Sequence, residues 1–196
     1  MGPVGLGGGQ GEWDDYEWFP SGGAAPEPIV RSPSALVERV DREDIWQAGD
    51  VPRILLVDLD NMRAGPLRWK ARMAVVVALA RQADHAVLVG QEGAVRRARP
   101  HLEEFADTAL EVPAGSDLAD VALLEAVDQL DLPNAQALVV SNDGIFAELA
   151  QCGPLVILSP GRDALSDALE AAAVRVVDLA ALEHELAAPV RGKGGA

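Results

Sequence analysis

The sequence has very little cysteine and histidine, which limits the kinds of site it can build. Cys152 is the only cysteine, and the three histidines are His85, His101 and His184. A single cysteine excludes an intrachain disulfide and a zinc site made of cysteines. The histidines are scattered and lack the spacing of a metal-ligand pair. The sequence therefore offers no disulfide scaffold and no zinc-type centre.

Long apolar runs are also missing. No stretch approaches the length of about 18 apolar residues that a membrane-spanning helix needs. The glycine-rich N-terminus has no basic stretch followed by an apolar core, so no secretory signal is predicted. Pro3 and Leu6 do not fit a myristoylation motif. We therefore expect a cytoplasmic protein with no membrane segment.

Positive charge is scarce as well. The chain has 16 lysines and arginines against 31 aspartates and glutamates, giving a net charge of −15. Broad nucleic-acid surfaces are usually basic, so a large electrostatic footprint on nucleic acid is not expected. An enzyme that holds a few phosphates through a metal ion and a local group of arginines remains open.

The composition divides the chain into four parts. Residues 1–33 are rich in glycine and proline, which predicts a disordered tail. Within it, the acidic and aromatic residues 12–19 are either a docking motif, for a protein partner or for a basic patch of the chain itself, or a segment with no single bound state. Residues 34–50 predict a short helix and linker, 51–188 the folded domain, and 189–196 a flexible C-terminus.

The folded part alternates strand and helix patterns. The unbroken apolar run before Asp58 is typical of a strand buried on both faces of a parallel sheet. The remaining strands are predicted at 85–89, 108–112, 137–141, 155–158 and 174–177. The helices are predicted at 66–81, 92–104, 117–130, 144–151, 164–173 and 179–186, with an interruption at Pro100 as an alternative for the second of them. Repeated strand–helix units predict an α/β fold whose mainly parallel sheet has helices on both faces.

Acidic and amide side chains follow these strands. Asp58, Asp60 and Asn61 come after the first strand, and Asn142 and Asp143 come after the fourth. Asp117 and Asp120 open the helix after the third strand. The carboxyl ends of strands in an open α/β sheet are where ligands bind, and the first and fourth strands are commonly neighbours there. We therefore expect these groups to face one crevice.

Carboxylates brought close together repel each other and raise each other's pKa values. Mg²⁺ or Mn²⁺ would neutralise them, because both ions prefer oxygen ligands. Such a site can activate water for attack on a phosphodiester. Four of the acids also have a structural alternative: Asp117 or Asp120 could favour a helix N-terminus, Asp143 could cap the helix at Gly144, and Asp60 could point away from the crevice. Asp58 is the hardest to explain structurally, because it directly follows a buried strand.

Three segments resemble the NYN branch of the PIN-like nuclease domains: VDLDN at 57–61, GSDLAD at 115–120 and SNDGIF at 141–146. The similarity extends over roughly residues 53–180, including VDL at 177–179. It implies a Rossmann-like three-layer α/β/α fold, a Mg²⁺- or Mn²⁺-binding acidic pocket and ribonuclease activity. By motif match, Asp58, Asp120 and Asp143 would be the main metal-binding acids, Asn61 would shape the pocket, and Ser141 and Asn142 would hold the loop.

The sequence also departs from that family. Ile145 stands where many members have a second acid, two residues after the position of Asp143. A subset of the family lacks this acid but has a Gly-x-Asn-x-x-Asp segment, and Asp117 occupies the position of its asparagine. The resemblance therefore leaves open whether the pocket is rearranged.

Basic residues near the first acidic group predict contacts with RNA phosphates. Arg63, Arg68 and Lys70 follow Asn61 closely, where the backbone of a single-stranded RNA would approach. Trp69 among them could stack a base or could pack beneath the first helix. Together with these basic residues, the substrate-binding candidates are Asn61, Ser141 and Asn142.

Two other functions fit parts of the pattern. A haloacid-dehalogenase-like phosphatase is similar in Asp58 and Asp60, but it needs a suitably placed lysine, and the chain has only Lys70 and Lys193. A non-catalytic PIN-like module that binds RNA or a protein fits Ile145 and the negative charge. The sequence leaves a homodimer open.

Overall fold

The computed structural model describes residues 32–115 and 117–187. The predicted tail up to residue 31, including the segment 12–19, and the predicted flexible residues 189–196 lie outside this range. Within the described range, no helix is both long enough and apolar enough to cross a membrane.

The elements alternate along the chain as the apolar pattern predicts. The helices are α1 (Pro33–Asp41), α2 (Pro66–Ala80), α3 (Glu92–Ala98), α4 (Leu118–Leu130), α5 (Asp167–Ala172) and α6 (Leu179–Ala187). The strands are β1 (Arg53–Asp58), β2 (His85–Gln91), β3 (Leu110–Val112), β4 (Gln136–Val140), β5 (Leu155–Ser159) and β6 (Arg175–Asp178). Short 3₁₀ helices cover Arg99–His101, Glu103–Phe105, Gly144–Gln151 and Arg162–Ala164.

The six strands form one parallel sheet in the order β3-β2-β1-β4-β5-β6. This confirms the predicted three-layer α/β/α class. It also confirms that the first and fourth strands are neighbours. The chain leaves β1 toward one edge and crosses back to β4 on the other side, so the carboxyl ends of β1 and β4 flank the topological switch point, where such sheets bind ligands.

Alternating side chains of β1 fill two separate cores. Leu55 and Val57 pack with α1, α2 and α6 on one face, whereas Ile54 and Leu56 pack with α4 and the 3₁₀ helix after β4 on the other. Side chains two residues apart in a strand share a face. Asp58 therefore continues the face of Leu56 and points toward α4.

Three predicted helices are shorter in the structure. The helix predicted for 164–173 is α5 (Asp167–Ala172), preceded by the 3₁₀ turn Arg162–Ala164. The helix predicted for 92–104 ends at Ala98, and two 3₁₀ turns follow. Pro100 has no backbone N–H and cannot continue an α-helix, yet Leu102 still reaches the core, with 0% exposure. The apolar spacing predicts a first helix over 34–46, but α1 ends at Asp41 and the chain turns at Asp44, whose φ is +45°.

The buried stripe of α4 is also displaced from the predicted one. The spacing of Val121, Leu124, Val127 and Leu130 predicts that these four residues face inward. Val121 is instead 42% exposed, whereas Leu123 is fully buried. Ala119 and Asp120 lie on the buried stripe with Leu123. The packing of α4 thus turns a carboxylate toward the sheet.

Candidate acidic site at the carboxyl ends of β1 and β4

Among the acids at the carboxyl ends of β1 and β4, Asp58 accepts the most hydrogen bonds. Its side chain is 3% exposed, and Oδ1 accepts hydrogen bonds from the backbone N–H groups of Asp60 at 2.9 Å and Asn61 at 3.3 Å. Oδ2 accepts from the side-chain amide of Asn61 and from the Ser141 hydroxyl at 3.4 Å. Burial raises the pKa of Asp58, although these hydrogen bonds oppose the shift. The bonds fix the carboxylate at the end of β1.

Asp120 reaches the same neighbourhood from α4 but has fewer partners. It is 7% exposed, and its buried Oδ1 has no hydrogen-bond partner among the residues described by the structure. Burial, followed by repulsion from Asp58, Asp143, Asp117 and Asp60, raises the pKa of Asp120 to about 6. A buried carboxylate oxygen without a partner is costly. Among the described residues, the groups that shift this pKa are all carboxylates, and none of them is a positive charge that would compensate Asp120.

The other three acids lie closer to solvent. Asp143 is exposed, and its Oδ1 accepts from the backbone N–H of Ile145 at 3.0 Å, which caps the 3₁₀ helix as one structural alternative predicts. Asp117 is exposed at the N-cap of α4, with φ of +64° and no side-chain capping bond. Asp60 is half-buried, and its Oδ2 accepts from the backbone N–H of Gln91 at 2.8 Å.

These five carboxylates form what we call the acidic rim: Asp58, Asp60, Asp117, Asp120 and Asp143. They are not arranged as a set of metal ligands. In the ranges 32–115 and 117–187, no three histidine, cysteine, aspartate or glutamate side chains are arranged to hold a metal ion. Three of these carboxylates accept hydrogen bonds from backbone N–H groups: Asp58, Asp60 and Asp143. The unpartnered oxygen of Asp120 is the observation in this structure that fits a bound cation.

Ser141 and Asn142 connect the rim to its supporting strands. The Ser141 hydroxyl contacts Asp58 and accepts from the backbone N–H of Asp143 at 3.2 Å. The Asn142 side chain accepts from the Ser159 hydroxyl at 2.6 Å and donates to the carbonyl of Gly161 at 3.0 Å. These polar atoms are buried and engaged within the chain. In this structure both residues therefore hold the loop after β4, which is the role that the resemblance implies for them.

Asn61 has the same kind of internal role, since it bonds to Asp58 through its backbone and its side chain. It shapes the pocket, which argues against a direct contact with substrate. Ile145 is 37% exposed beside Asp143. The rim therefore presents an apolar side chain at the position of the family's second acid.

The basic residues after Asn61 separate into two groups. Arg63 and Lys70 are exposed, and the Arg63 Nε donates to the carbonyl of Asp60 at 3.2 Å. Arg68 instead donates through Nε to Glu183 at 2.9 Å. Arg68 is therefore paired with a carboxylate in this structure, unlike Arg63 and Lys70.

Sequence reasoning missed the buried ion pair behind this loop. Arg72 is 2% exposed and Glu183 is 0% exposed, and Arg72 Nε donates to Glu183 at 2.7 Å. The same guanidinium donates to the carbonyls of Pro160 at 2.8 Å and Arg63 at 3.4 Å. It therefore ties the loop after β1 to the loop after β5. The local sequence carries no signal for this pairing, because Arg72 reads as one more member of a basic cluster.

The raised pKa of Asp120 predicts a pH-dependent stability difference. Folding raises this pKa from 3.8 to about 6, so the folded state favours the proton. The contribution is fully present below pH ~4 and is lost as pH rises through about 6. Relative to wild type, Asp120→Asn should therefore gain stability between these pH values, on the order of 2 kcal/mol. Urea unfolding of both metal-free proteins at several pH values measures the difference. If the difference in free energy of unfolding between the two proteins does not change with pH, folding does not raise the pKa of Asp120.

Comparisons with known proteins do not indicate a function for the acidic site. No family model matches the sequence, and no curated protein is similar to it. Among solved structures, the chain is similar to a protein of unknown function from Vibrio parahaemolyticus, with 16% identity and a TM-score of 0.43 over 67% of this chain and 95% of that one. A likeness of this degree carries no argument about the site.

Proposed function

We propose that this chain is a metal-dependent ribonuclease of the NYN type, which hydrolyses phosphodiester bonds of single-stranded RNA at the acidic rim. The observation that carries the proposal is Asp120: its buried Oδ1 has no hydrogen-bond partner in the described part of the chain. Burial, followed by repulsion from four other carboxylates, raises the pKa of Asp120 to about 6. Mg²⁺ or Mn²⁺ would remove both penalties, because a hard cation takes carboxylate oxygens as ligands.

Asp120 and Asp58 would hold the ion, with Asp143, Asp60 and Asp117 placed around them. Asp58 suits this role because Asn61 and Ser141 fix its orientation, as outer hydrogen bonds do for ligands in metal sites. The chemistry that a bound cation supplies is activation of water for in-line attack and stabilisation of the leaving oxygen. As the bond from water to phosphorus forms, the bond from phosphorus to the leaving oxygen breaks.

Exposed cations beside the rim support a phosphate substrate despite the overall negative charge. Arg63 is held against the backbone of Asp60, and Lys70 lies one turn into α2. Short-range contacts of this kind orient a nucleic-acid backbone without requiring a broad basic surface.

A metal-switched cleavage assay tests the proposal. The full chain is incubated with a labelled pool of single-stranded RNA in Mn²⁺, in Mg²⁺ and in EDTA. We expect fragments with one or both metals and none in EDTA. Intact RNA in every condition would contradict the proposal.

The same preparation separates the alternatives. Turnover of p-nitrophenyl phosphate that is lost in Asp58→Asn but kept in Asp120→Asn would identify the phosphatase. Binding of RNA without cleavage in either metal would identify the non-catalytic module, which Ile145 at the rim and the absence of a preformed ligand set in the described residues favour.

A further inference from the structure

A small cavity adjoins the acidic rim on the α3 side of the sheet. Its volume is about 260 Å³, and Asp60, Arg63, Trp69, Gln91, Gly93 and Arg97 contribute to its walls. It is slightly smaller than the roughly 300–1,000 Å³ of typical small-molecule sites. A space of this size suits a single nucleoside.

Two arginines give this cavity its positive charge. Arg63 Nε donates to the Asp60 carbonyl at 3.2 Å, and Arg97 donates to the Ala64 carbonyl at 2.7 Å. These backbone contacts hold both guanidinium groups in place without neutralising them, because a carbonyl carries no formal charge. Each guanidinium has five N–H donors, so donors remain for a phosphate.

The cavity also contains a planar surface. The guanidinium carbon of Arg97 lies 4.6 Å from the centre of the Trp69 ring. Trp69 is only 2% exposed, and its indole N–H donates to the Arg97 carbonyl at 3.3 Å. The indole therefore supports the guanidinium and is itself too deeply buried to stack a base. Arg97, which is exposed, offers the plane on which a base can stack.

We propose that this cavity binds one nucleoside of a single-stranded RNA, with the base against Arg97 and the adjoining phosphate near Arg63. The proposal rests on the ribonuclease function, because Asp60 belongs both to the cavity wall and to the acidic rim. A nucleotide held here would place the next phosphodiester at the carboxylates. The cavity thus acts as a positioning subsite.

Gly93 lines the cavity and provides a position at which a larger side chain can narrow it. A Cβ atom at Gly93 would meet no heavy atom within 4 Å, so a side chain can start there without a clash. Leucine also has a higher helix propensity than glycine, which protects α3. Arg97→Ala removes the stacking plane. Arg96→Ala is the matched control, because Arg96 is the preceding residue of the same helix and pairs with Glu92 at the surface.

The test is a nuclear magnetic resonance titration of the ¹⁵N-labelled full chain with uridine and adenosine 5′-monophosphates in EDTA. We expect shifts centred on the Gly93 amide and the Trp69 indole N–H. Stacking and charge contributions of the usual size predict about 5- to 10-fold weaker binding for Arg97→Ala. Gly93→Leu should abolish binding, and Arg96→Ala should stay within about twofold of wild type.

Several results would overturn the subsite: no shifts at these positions, equal binding by Gly93→Leu, or the same shifts with inorganic phosphate alone, which would indicate a simple anion site. Because the titration contains no metal and no cleavable bond, it is independent of the cleavage assay. Cleavage without nucleotide shifts removes the subsite alone, and nucleotide shifts without cleavage remove the ribonuclease function alone.

Discussion

Asp120→Asn should reduce metal-dependent RNA cleavage by at least about 100-fold. Loss of a group that merely supports a ligand typically costs 10- to 100-fold in metal affinity or activity, and the direct loss of a ligand should cost at least as much. The fold should survive, because the substitution removes a desolvated charge that four neighbouring carboxylates repel. The measurement is the initial cleavage rate in Mn²⁺ for both proteins.

Asp128→Asn is the matched control for this variant. Asp128 lies on the same helix, but its side chain is exposed and outside the group of acids that raise the pKa of Asp120. We expect its cleavage rate to equal that of wild type. Equal rates for wild type and Asp120→Asn would exclude Asp120 from the catalytic site.

Glu183→Leu should lower the free energy of unfolding by roughly 3–5 kcal/mol, because it leaves Arg72 charged and buried without a carboxylate. Arg72 is 2% exposed and would retain only the carbonyls of Pro160 and Arg63 as acceptors. Domains of ordinary stability have about 5–15 kcal/mol in total, so this single change removes a large fraction. Urea unfolding monitored by circular dichroism measures it.

Two further variants show whether the buried charge is the cause. Arg72→Met combined with Glu183→Leu removes both charges and should be more stable than Glu183→Leu alone. Glu104→Gln breaks an exposed pair with Arg81 and should leave the urea midpoint almost unchanged, since such pairs contribute little. If Glu183→Leu unfolds at the wild-type midpoint, the pair does not hold the two loops together.

Much of the fold followed from the sequence because its signals are local. The apolar run before Asp58 predicted a central strand, and the β1–β4 adjacency followed from the usual order of such sheets. Pro100 also indicated an interruption of the helix predicted for 92–104. The 3₁₀ turns that bury Leu102 could not be predicted, because a proline is compatible with such turns as well as with a loop.

The burial of Asp120 could also have been predicted from the sequence. Asp120 lies four residues before Leu124 and seven before Val127, which is the spacing of one helix face. Placing Val121 inward obscured this relation, although Val121 is exposed and Leu123 is the fully buried residue. The sequence signal for this buried acid was a carboxylate at a position that the helical spacing places on the apolar face of α4.

Roles that depend on distant contacts were not predictable. Arg68 and Arg72 read as phosphate-binding or solvated bases until α6 brings Glu183 between them. Asn142 reads as a crevice residue until β5 places Ser159 beside it. In each case, the partner comes from an element far along the chain, so no local pattern distinguishes a substrate contact from a structural one.

Mn²⁺ binding in the absence of RNA tests most directly whether Asp120 is a ligand of a metal cation. The free Mn²⁺ signal in electron paramagnetic resonance is followed as wild type, Asp120→Asn and Asp128→Asn are added at pH 7.5. The account predicts saturable binding by wild type and Asp128→Asn, and binding at least about 10-fold weaker by Asp120→Asn. Equal binding by all three proteins, or no binding by any of them, would contradict it.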